Sequence, residues 1–428
     1  MDATERAPWS NGHKTAFRFL ACFVFLLVFP FPFSTAPGSI YSFPYFDRAA
    51  FRLANWIGPH IFRVAASPPA FRDLALADVN AGYVQVLLIL LLSILVTIVW
   101  SVLDRRRRDY HTLHEYLRVY VRYALAFNMF AYGWDKVLAL QFSWSLPGPQ
   151  RLAEPLGSYS PFALMWTFMG YSKPYTIFAG LGEVIGGLFL FFRRTTTLGA
   201  LIIAFVMANV VMMNFSYGVP VKIFSSTLLV LAVFLIVPDA KRLLNVFVLN
   251  LPAPAASSAN PYCMAWLVKS RPYLKVALLI AAVYWFAGPN MNANRERANP
   301  PKSPIYGLYQ VESYATNGRP LLEGDHAWRR AIFESPDSML VLTNDDSQLS
   351  FATKYDSAKS SVTITDDTDA PSPTSRELTY AWRNSEHLEL RGTVNSEPLV
   401  IELRKIDISK TTLLSRGFHW SENGGFYR

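Results

Sequence analysis

The chain has 428 residues, 52% of them hydrophobic and only 17% charged, with a formal net charge of +9. Soluble domains carry about 25% charged residues, and disordered chains carry few apolar ones, so both classes are excluded. The positive charge sits beside apolar runs, which points to the anionic face of a lipid bilayer as its partner rather than to nucleic acid.

Seven segments read as membrane spans, judged against the roughly 17–25 residues that a helical crossing needs. They are Phe17–Phe33, Tyr83–Leu103, Val119–Phe142, Tyr175–Phe192, Leu198–Phe215, Ile223–Val237 and Leu274–Ala287. The last two are short, and Lys222 and Lys275 can snorkel at their flanks. Basic clusters alternate along the chain. Arg6, Lys14 and Arg18 come before or at the start of the first span, and Arg105, Arg106, Arg107 and Arg108 follow the second. Arg193 and Arg194 lie between the fourth and fifth, and Lys241, Arg242, Lys269 and Arg271 between the sixth and seventh. The positive-inside rule then places the N-terminus in the cytoplasm and the C-terminal part outside it. The first span is an uncleaved helix or a signal peptide ending near Ser34-Thr35-Ala36; Pro37 directly after that site disfavours cleavage.

Between the first two spans, Phe46–Ala66 alternates apolar and cationic residues. It reads as a helix in the interface plane or as a surface helix packed on the bundle. Tyr159–Lys173 is aromatic and reads as a re-entrant or interfacial segment on the outer side.

Ionisable residues inside spans are costly and face the bundle interior. The third span carries Asn128, Tyr132, Asp135 and Lys136, a single stripe at helical spacing. The fourth carries Glu183 near its middle, the fifth carries Asn209 and Asn214, and Lys222 opens the sixth. Counting helix rise from the span ends puts these groups at similar depths, so Lys136 and Glu183 are expected to meet, with Tyr132 and Asn209 beside them. Gly182 and Gly186, beside Gly180 and Gly187, let the fourth span approach a neighbour closely. The pair either locks the bundle or forms part of a site for a small molecule, a lipid or a quinone head group; a proton or ion path is a further reading.

No metal site is expected. His111-x-x-His114 is a lone pair, and a metal centre needs more ligands. The two cysteines, Cys22 and Cys263, form no C-x-x-C. No phosphate-binding loop, zinc-protease helix, nucleophile elbow or dinucleotide fingerprint is present in a clear context.

The stretch from Arg122 to Val246 resembles the DoxX/DoxD superfamily of four-helix membrane proteins. The residues that carry the resemblance are Arg122, Gly133 and Lys136 on one helix, then Glu183, Gly186 and Gly187 on the next. An Arg193-Arg194-Thr195 turn and a helix ending in Asn209 and Asn214 complete it. The resemblance implies a bacterial-type protein of the inner membrane, often a component of a membrane oxidoreductase. One branch resembles the small membrane subunit of thiosulfate:quinone oxidoreductase. It thereby implies quinone as a possible cofactor and a redox partner protein; the polar groups at similar depth, Tyr132, Asp135, Lys136, Glu183, Asn209, Asn214 and Lys222, are the candidate ligand-binding residues. The chain departs from that pattern by two N-terminal spans, a seventh span and a large outer domain, and it lacks a redox cysteine pair.

After the seventh span and a polar linker, Gly288–Pro304, short alternating runs recur. They are Leu308–Ala315, Arg330–Phe333, Ser338–Thr343, Leu349–Tyr355, Ser361–Thr365, Leu378–Trp382, His387–Thr393, Leu399–Ile406 and Thr411–Gly417. Strands at this spacing form an antiparallel barrel or sandwich, and GLYQVESYATNG loosely resembles the opening of lipocalin-like small barrels. Asp366, Asp367 and Asp369 read as a solvated loop, and Phe418-His419-Trp420 as aromatic edge packing.

The expected organisation is therefore two spans with an outer loop (1–117), a DoxX-like four-helix core (118–250), a basic loop, seventh span and linker (251–302), and an extracytoplasmic β domain (303–428). Charge divides along the same line: 27 Lys/Arg against 13 Asp/Glu up to residue 302, and 13 against 18 beyond it. Three functions remain open: a quinone- or lipid-binding oxidoreductase component, a non-enzymatic scaffold or sensor with a binding β domain, and a small-molecule transporter. The absence of an inverted repeat argues against the last.

Overall fold

The computed structural model describes residues 8–32, 44–71, 76–142, 147–253, 265–287, 300–320, 327–366, 374–394 and 397–416. Ser34 to Pro37, Cys263, Asp367, Asp369, Phe418 to Trp420 and most of the linker 288–304 lie outside them. The chain forms two compact units: residues 1–141 with 174–293, and residues 142–173 with 294–428.

All seven expected segments of the first unit are helical. They are α1 (Asn11–Val28), α3 (Asn80–Leu103), α4 (His111–Val137), α7 (Lys173–Leu190), α8 (Thr196–Ser216), α9 (Lys222–Ile236) and α11 (Ala265–Ala287). Among the described residues, three stretches are long and apolar enough to cross a membrane by length and composition: Asn80–Leu103, Arg193–Ser216 and Lys222–Phe247. Along α3, Leu91, Leu95, Ile98, Val102 and Leu103 are exposed, a continuous apolar surface of the kind a lipid-facing helix presents. α4 ends at Val137, five residues before the expected Phe142, and Ala139 then takes a left-handed conformation with φ 57°. Lys136 therefore stands in the last helical turn, where a cation also meets the negative end of the helix dipole.

α2 (Pro44–Ile57) occupies the amphipathic stretch before α3. Phe51 and Ala54 are buried against Ala81 and Val84 of α3. Leu53 and Trp56 stay exposed, so both expected properties coexist on opposite faces.

The basic clusters converge on one end of the unit. The Lys14 ammonium donates to the Arg107 carbonyl at 3.4 Å. The buried Arg18 guanidinium donates to the Tyr110 hydroxyl (2.9 Å), the Ser101 hydroxyl (2.9 Å) and the Asp104 carbonyl (2.8 Å), so burying its charge leaves no donor group stranded. Glu115, on the first turns of α4, pairs with Arg193 at 3.2 Å, and Arg118 lies 3.8 Å from Asp239, which also pairs with Arg242 at 2.6 Å. Contacts thus join the turns that carry the clusters.

The second unit is built on a closed antiparallel barrel of eight strands. β1 (Gly307–Thr316) carries a two-residue hairpin partner, β2 (Arg319–Pro320). β3 (Trp328–Phe333), β4 (Ser338–Thr343), β5 (Gln348–Asp356), β6 (Ser361–Asp366), β7 (Ser375–Trp382), β8 (His387–Val394) and β9 (Glu397–Ile406) follow as a meander, and β9 closes on β1. The last expected strand, Thr411–Gly417, is instead a 3-10 turn (Ile408–Lys410) and a short helix, α12 (Thr412–Ser415). Both edges of β9 are already paired, with β8 and β1, so the barrel leaves no edge for another strand there. The β2 hairpin, unforeseen, turns on Asn317 and Gly318, with φ of 51° and 75°, the positive-φ pair that suits a tight hairpin.

Strand alternation separates the two faces of the barrel. Tyr309, Phe333, Val341, Phe351, Leu390 and Ile401 belong to the buried interior cluster. Ile305, just ahead of β1, joins that cluster, and the Tyr309 hydroxyl donates to its carbonyl at 2.9 Å. Side chains from all eight barrel strands meet in this interior cluster.

The neighbours of those residues on the other face, Leu308, Ile332 and Leu342, are also buried. Ala153 of α5 (Pro149–Ala153) covers them. Residues 142–173, which follow α4 in the chain, thus fold with the barrel. α6 (Pro161–Tyr171) stacks Phe162 on Trp166, whose ring also meets Phe142 at 4.7 Å between centroids. Arg330 donates to the Ala153 carbonyl at 3.2 Å, and the Gln150 N–H donates to the Glu334 carboxylate at 3.1 Å. Gly148 leaves room for that carboxylate, because a Cβ there would collide with it.

Burial pushes the Glu334 carboxyl above its ordinary value of 4.5, against the Gln150 N–H and Arg151, which pull it down. A raised carboxyl favours the folded state most when neutral, and this contribution is lost as pH rises from about 4.5 through the folded value. Glu334→Gln keeps an acceptor for Gln150 and removes the titration. Over pH 4 to 7, urea unfolding followed by tryptophan fluorescence is expected to show a larger loss with rising pH in the wild type than in the variant (roughly the range set by carboxylate titration). Parallel profiles would show that the carboxyl is not desolvated.

Candidate functional site

Two helices supply the centre of the site, and glycines set their distance. A Cβ built on Gly180 of α7 would lie 2.7 Å from the Gly133 carbonyl oxygen and 2.8 Å from Lys136 Cβ of α4. One on Gly133 would lie 2.8 Å from the Gly180 carbonyl oxygen. The backbones therefore touch where neither residue has a side chain. Gly187 repeats the contact further along, against the Ala126 carbonyl and Met129 Cβ. Gly180, Glu183 and Gly187 share one helix face, at i, i+3 and i+7. Gly182 and Gly186, singled out as the close-packing motif, face α8 instead: their nearest neighbours are Val206 and Ile203. Gly199 of α8 completes that second contact at the Gly186 carbonyl.

The α4 contact carries Glu183 to Lys136. The ammonium lies 2.8 Å from each carboxylate oxygen, and the two side chains are 7% and 1% exposed. At such burial each charge is tolerated because the other is present. The Lys136 ammonium also stands 5.6 Å from the centroid of the Tyr132 ring, a cation–π contact one turn back on α4. Phe224 of α9 stacks on the same ring at 5.7 Å. Tyr132, Lys136 and Glu183 are thus brought together, with α9 closing one side.

The other expected residues stand elsewhere. Asn209 is exposed on α8 rather than beside Tyr132. Five residues separate it from the buried Asn214, which is about 140° around a helix, so the two cannot share a face. Asn214 donates to the Ser225 hydroxyl of α9 at 2.9 Å and fastens two helices together. Lys222 pairs with Asp78 at 3.5 Å and donates to the Val219 carbonyl at 3.1 Å. Asp78 accepts the backbone N–H groups of Lys222 (2.5 Å) and Ile223 (2.9 Å), capping α9 with a carboxylate at its positive end. Asp135 is one residue from Lys136 and about 100° around the helix, and its carbonyl accepts the Leu140 and Gln141 N–H groups. Asn128 donates back to the Ala124 carbonyl at 2.8 Å. Arg122 is buried with its guanidinium 4.9 Å from the centroid of the Tyr123 ring, nearly four turns before Lys136.

Gly133, which the resemblance already pairs with Lys136, lies three residues before it on the same face. Two contributors are not evident from the sequence. Asp78 and Phe224 come from distant segments, and nothing local marks them as neighbours of Lys222 and Tyr132. Among the described residues no group of three His, Cys, Asp or Glu side chains is placed to hold a metal ion. His111 accepts the Trp9 indole N–H at 2.9 Å if its Nε2 is unprotonated, which ties it to the chain start of α1.

The DoxX family profile matches residues 117–214, a range that begins within α4 and ends within α8. The Bacillus subtilis (strain 168) protein designated uncharacterized protein YwoB is 34% identical over 126 residues. That match covers 29% of this chain and 79% of YwoB. No solved structure matches.

Removing one member of the ion pair strands a buried charge. Lys136→Met or Glu183→Gln alone is expected to destabilise by about 3–5 kcal/mol, and the double variant to recover most of that loss. Gly180→Ala gains about 1 kcal/mol of helix propensity but meets backbone atoms that cannot move aside, so a net loss of about 1–2 kcal/mol is expected. Thermal unfolding in detergent reads all four. Additive losses in the double variant would show that the two groups do not interact.

Proposed function

The chain belongs to the DoxX family of membrane proteins, and from that premise we propose that it holds a quinone head group, or another lipophilic ligand, beside Lys136 and Glu183. In this reading it is a membrane component that works with an oxidoreductase partner. The observation that carries the reading is the buried Lys136–Glu183 pair under the Tyr132 ring. An ionisable pair at such a position is a functional-site hypothesis by default. Its chemistry suits the ligand. A bound quinone supplies two-electron, two-proton chemistry. Lys136 offers an ammonium donor to a carbonyl oxygen, Glu183 holds that ammonium through both carboxylate oxygens, and the Tyr132 hydroxyl is a second donor. Electrons would come from the partner, because the described residues include no dithiol.

We read the seven helices as spans, with the N-terminus in the cytoplasm, the β unit outside and the protein in a bacterial inner membrane. The convergence of the basic turns on one end of the helical unit supports this. The closed β barrel supports one further reading, a non-enzymatic scaffold or sensor whose β unit binds a ligand or partner.

Two measurements test the proposal. Quinone extracted from purified wild-type protein and identified by mass spectrometry is expected to be lost in the Lys136→Met, Glu183→Gln double variant while that variant stays folded. Equal quinone content in both would remove the pair from the site. Reporter fusions after Arg108 and Arg194 are expected to remain cytoplasmic, and one after Arg428 to be exported. The opposite pattern would reverse the orientation.

A further inference from the structure

At the basic end of the helical unit lies a cavity of about 380 Å³ between α1, α3 and α4. Cys22 and Phe25 of α1, Trp100 of α3, and Leu113, Tyr116 and Tyr120 of α4 line it. Its walls are almost wholly apolar, which suits a hydrocarbon chain and no polar ligand. It runs along the helices from the basic turn: Tyr120 stands ten residues beyond Tyr110, about 15 Å of helix. The Trp100 ring of its lining meets Tyr110 edge-on at 5.4 Å, and Tyr110 carries the Arg107 guanidinium 5.2 Å from its ring centroid; Arg105, Arg106 and Arg108 are exposed on the same turn.

We propose that this cavity and the arginine run form a binding site for one anionic phospholipid, with an acyl chain between α1 and α4 and the phosphate on the arginines. Charge complementarity selects the occupant: an apolar groove one aromatic ring away from Arg107 and its exposed arginine run matches a molecule with a long hydrocarbon tail and an anionic head. The site is separate from the Lys136–Glu183 pair, which lies at the opposite end of α4. Arg18 serves as the frame rather than as a ligand. Its three hydrogen bonds to Tyr110, Ser101 and the Asp104 carbonyl hold α1 against the α3–α4 turn, so the groove exists before the lipid arrives.

Full-length protein, delipidated in detergent, is titrated with phosphatidylglycerol, phosphatidylcholine or glycerol phosphate and examined by native mass spectrometry and thermal unfolding. One retained phosphatidylglycerol and a raised Tm are expected, with little effect of phosphatidylcholine or of the headgroup alone. Replacing the four arginines by Gln, or filling the groove with Cys22→Phe, is expected to weaken phosphatidylglycerol retention about tenfold or more. Leu113→Trp fills the groove from α4 and replaces Cys22→Phe should that variant fail to fold. Equal retention of phosphatidylcholine would overturn the charge half of the proposal. Unchanged retention in the groove-filled variants would leave only surface binding by the arginines and overturn the site. A lipid-free dimer that phosphatidylglycerol leaves intact would assign the groove to a second copy of the chain.

Discussion

The contact between Gly133 and Gly180 sets the geometry of the helical unit. Two helices normally pack 8–10 Å apart, held off by their side chains. Here the carbonyl oxygen of each glycine occupies the space that a Cβ on the other would need. That approach makes a direct ammonium–carboxylate contact possible between Lys136 and Glu183 without a bridging water. The same helix, α7, presents Gly182 and Gly186 to α8, so α7 is pressed closely on two sides at once. In a bilayer lipid tails compete with side chains as apolar neighbours, and close backbone contact of this kind is what favours helix over lipid.

The polar groups outside the pair act as fasteners. Asp78 holds the start of α9, Asn214 and Ser225 tie α8 to α9, and Arg18 ties α1 to the turn between α3 and α4. Each satisfies a group that would otherwise be stranded in an apolar setting. Lys136 and Glu183 differ in that both partners are buried and ionisable, one on α4 and the other on α7.

How far these arrangements were legible depends on the range of the interaction. Helix positions follow from runs of apolar residues, and barrel strands from period-two alternation, so both are readable within a few residues. The Lys136–Glu183 contact was readable because helix rise fixes depth and an unpaired charge at that depth is costly. Asn209 was misplaced because depth alone says nothing about rotation: the exposed Asn209 and buried Asn214 differ by about 140° around α8. The choice between the faces of α7 was likewise hidden. G-x-x-x-G announces a close neighbour without saying which, and the residues that meet α4 are Gly180 and Gly187. The helical turn after β9 was misread as a strand because local pattern cannot reveal that the barrel has already closed.

The place of residues 142–173 follows from packing on the barrel rather than from loop entropy. α4 ends at Val137 and α7 begins at Lys173, so the helices that carry the pair are joined through a long connection. A free loop of that length would be tolerable, because its closure cost grows only slowly with length. Instead α5 covers Leu308, Ile332 and Leu342 on the outside of the barrel, and Gln150 and Ala153 bond to Glu334 and Arg330. Those three apolar residues alternate with interior ones, so a barrel without this segment would expose them. The barrel and the connection therefore complete each other. The segment that joins the two helices holding Lys136 and Glu183 in the chain is thus itself part of the β unit.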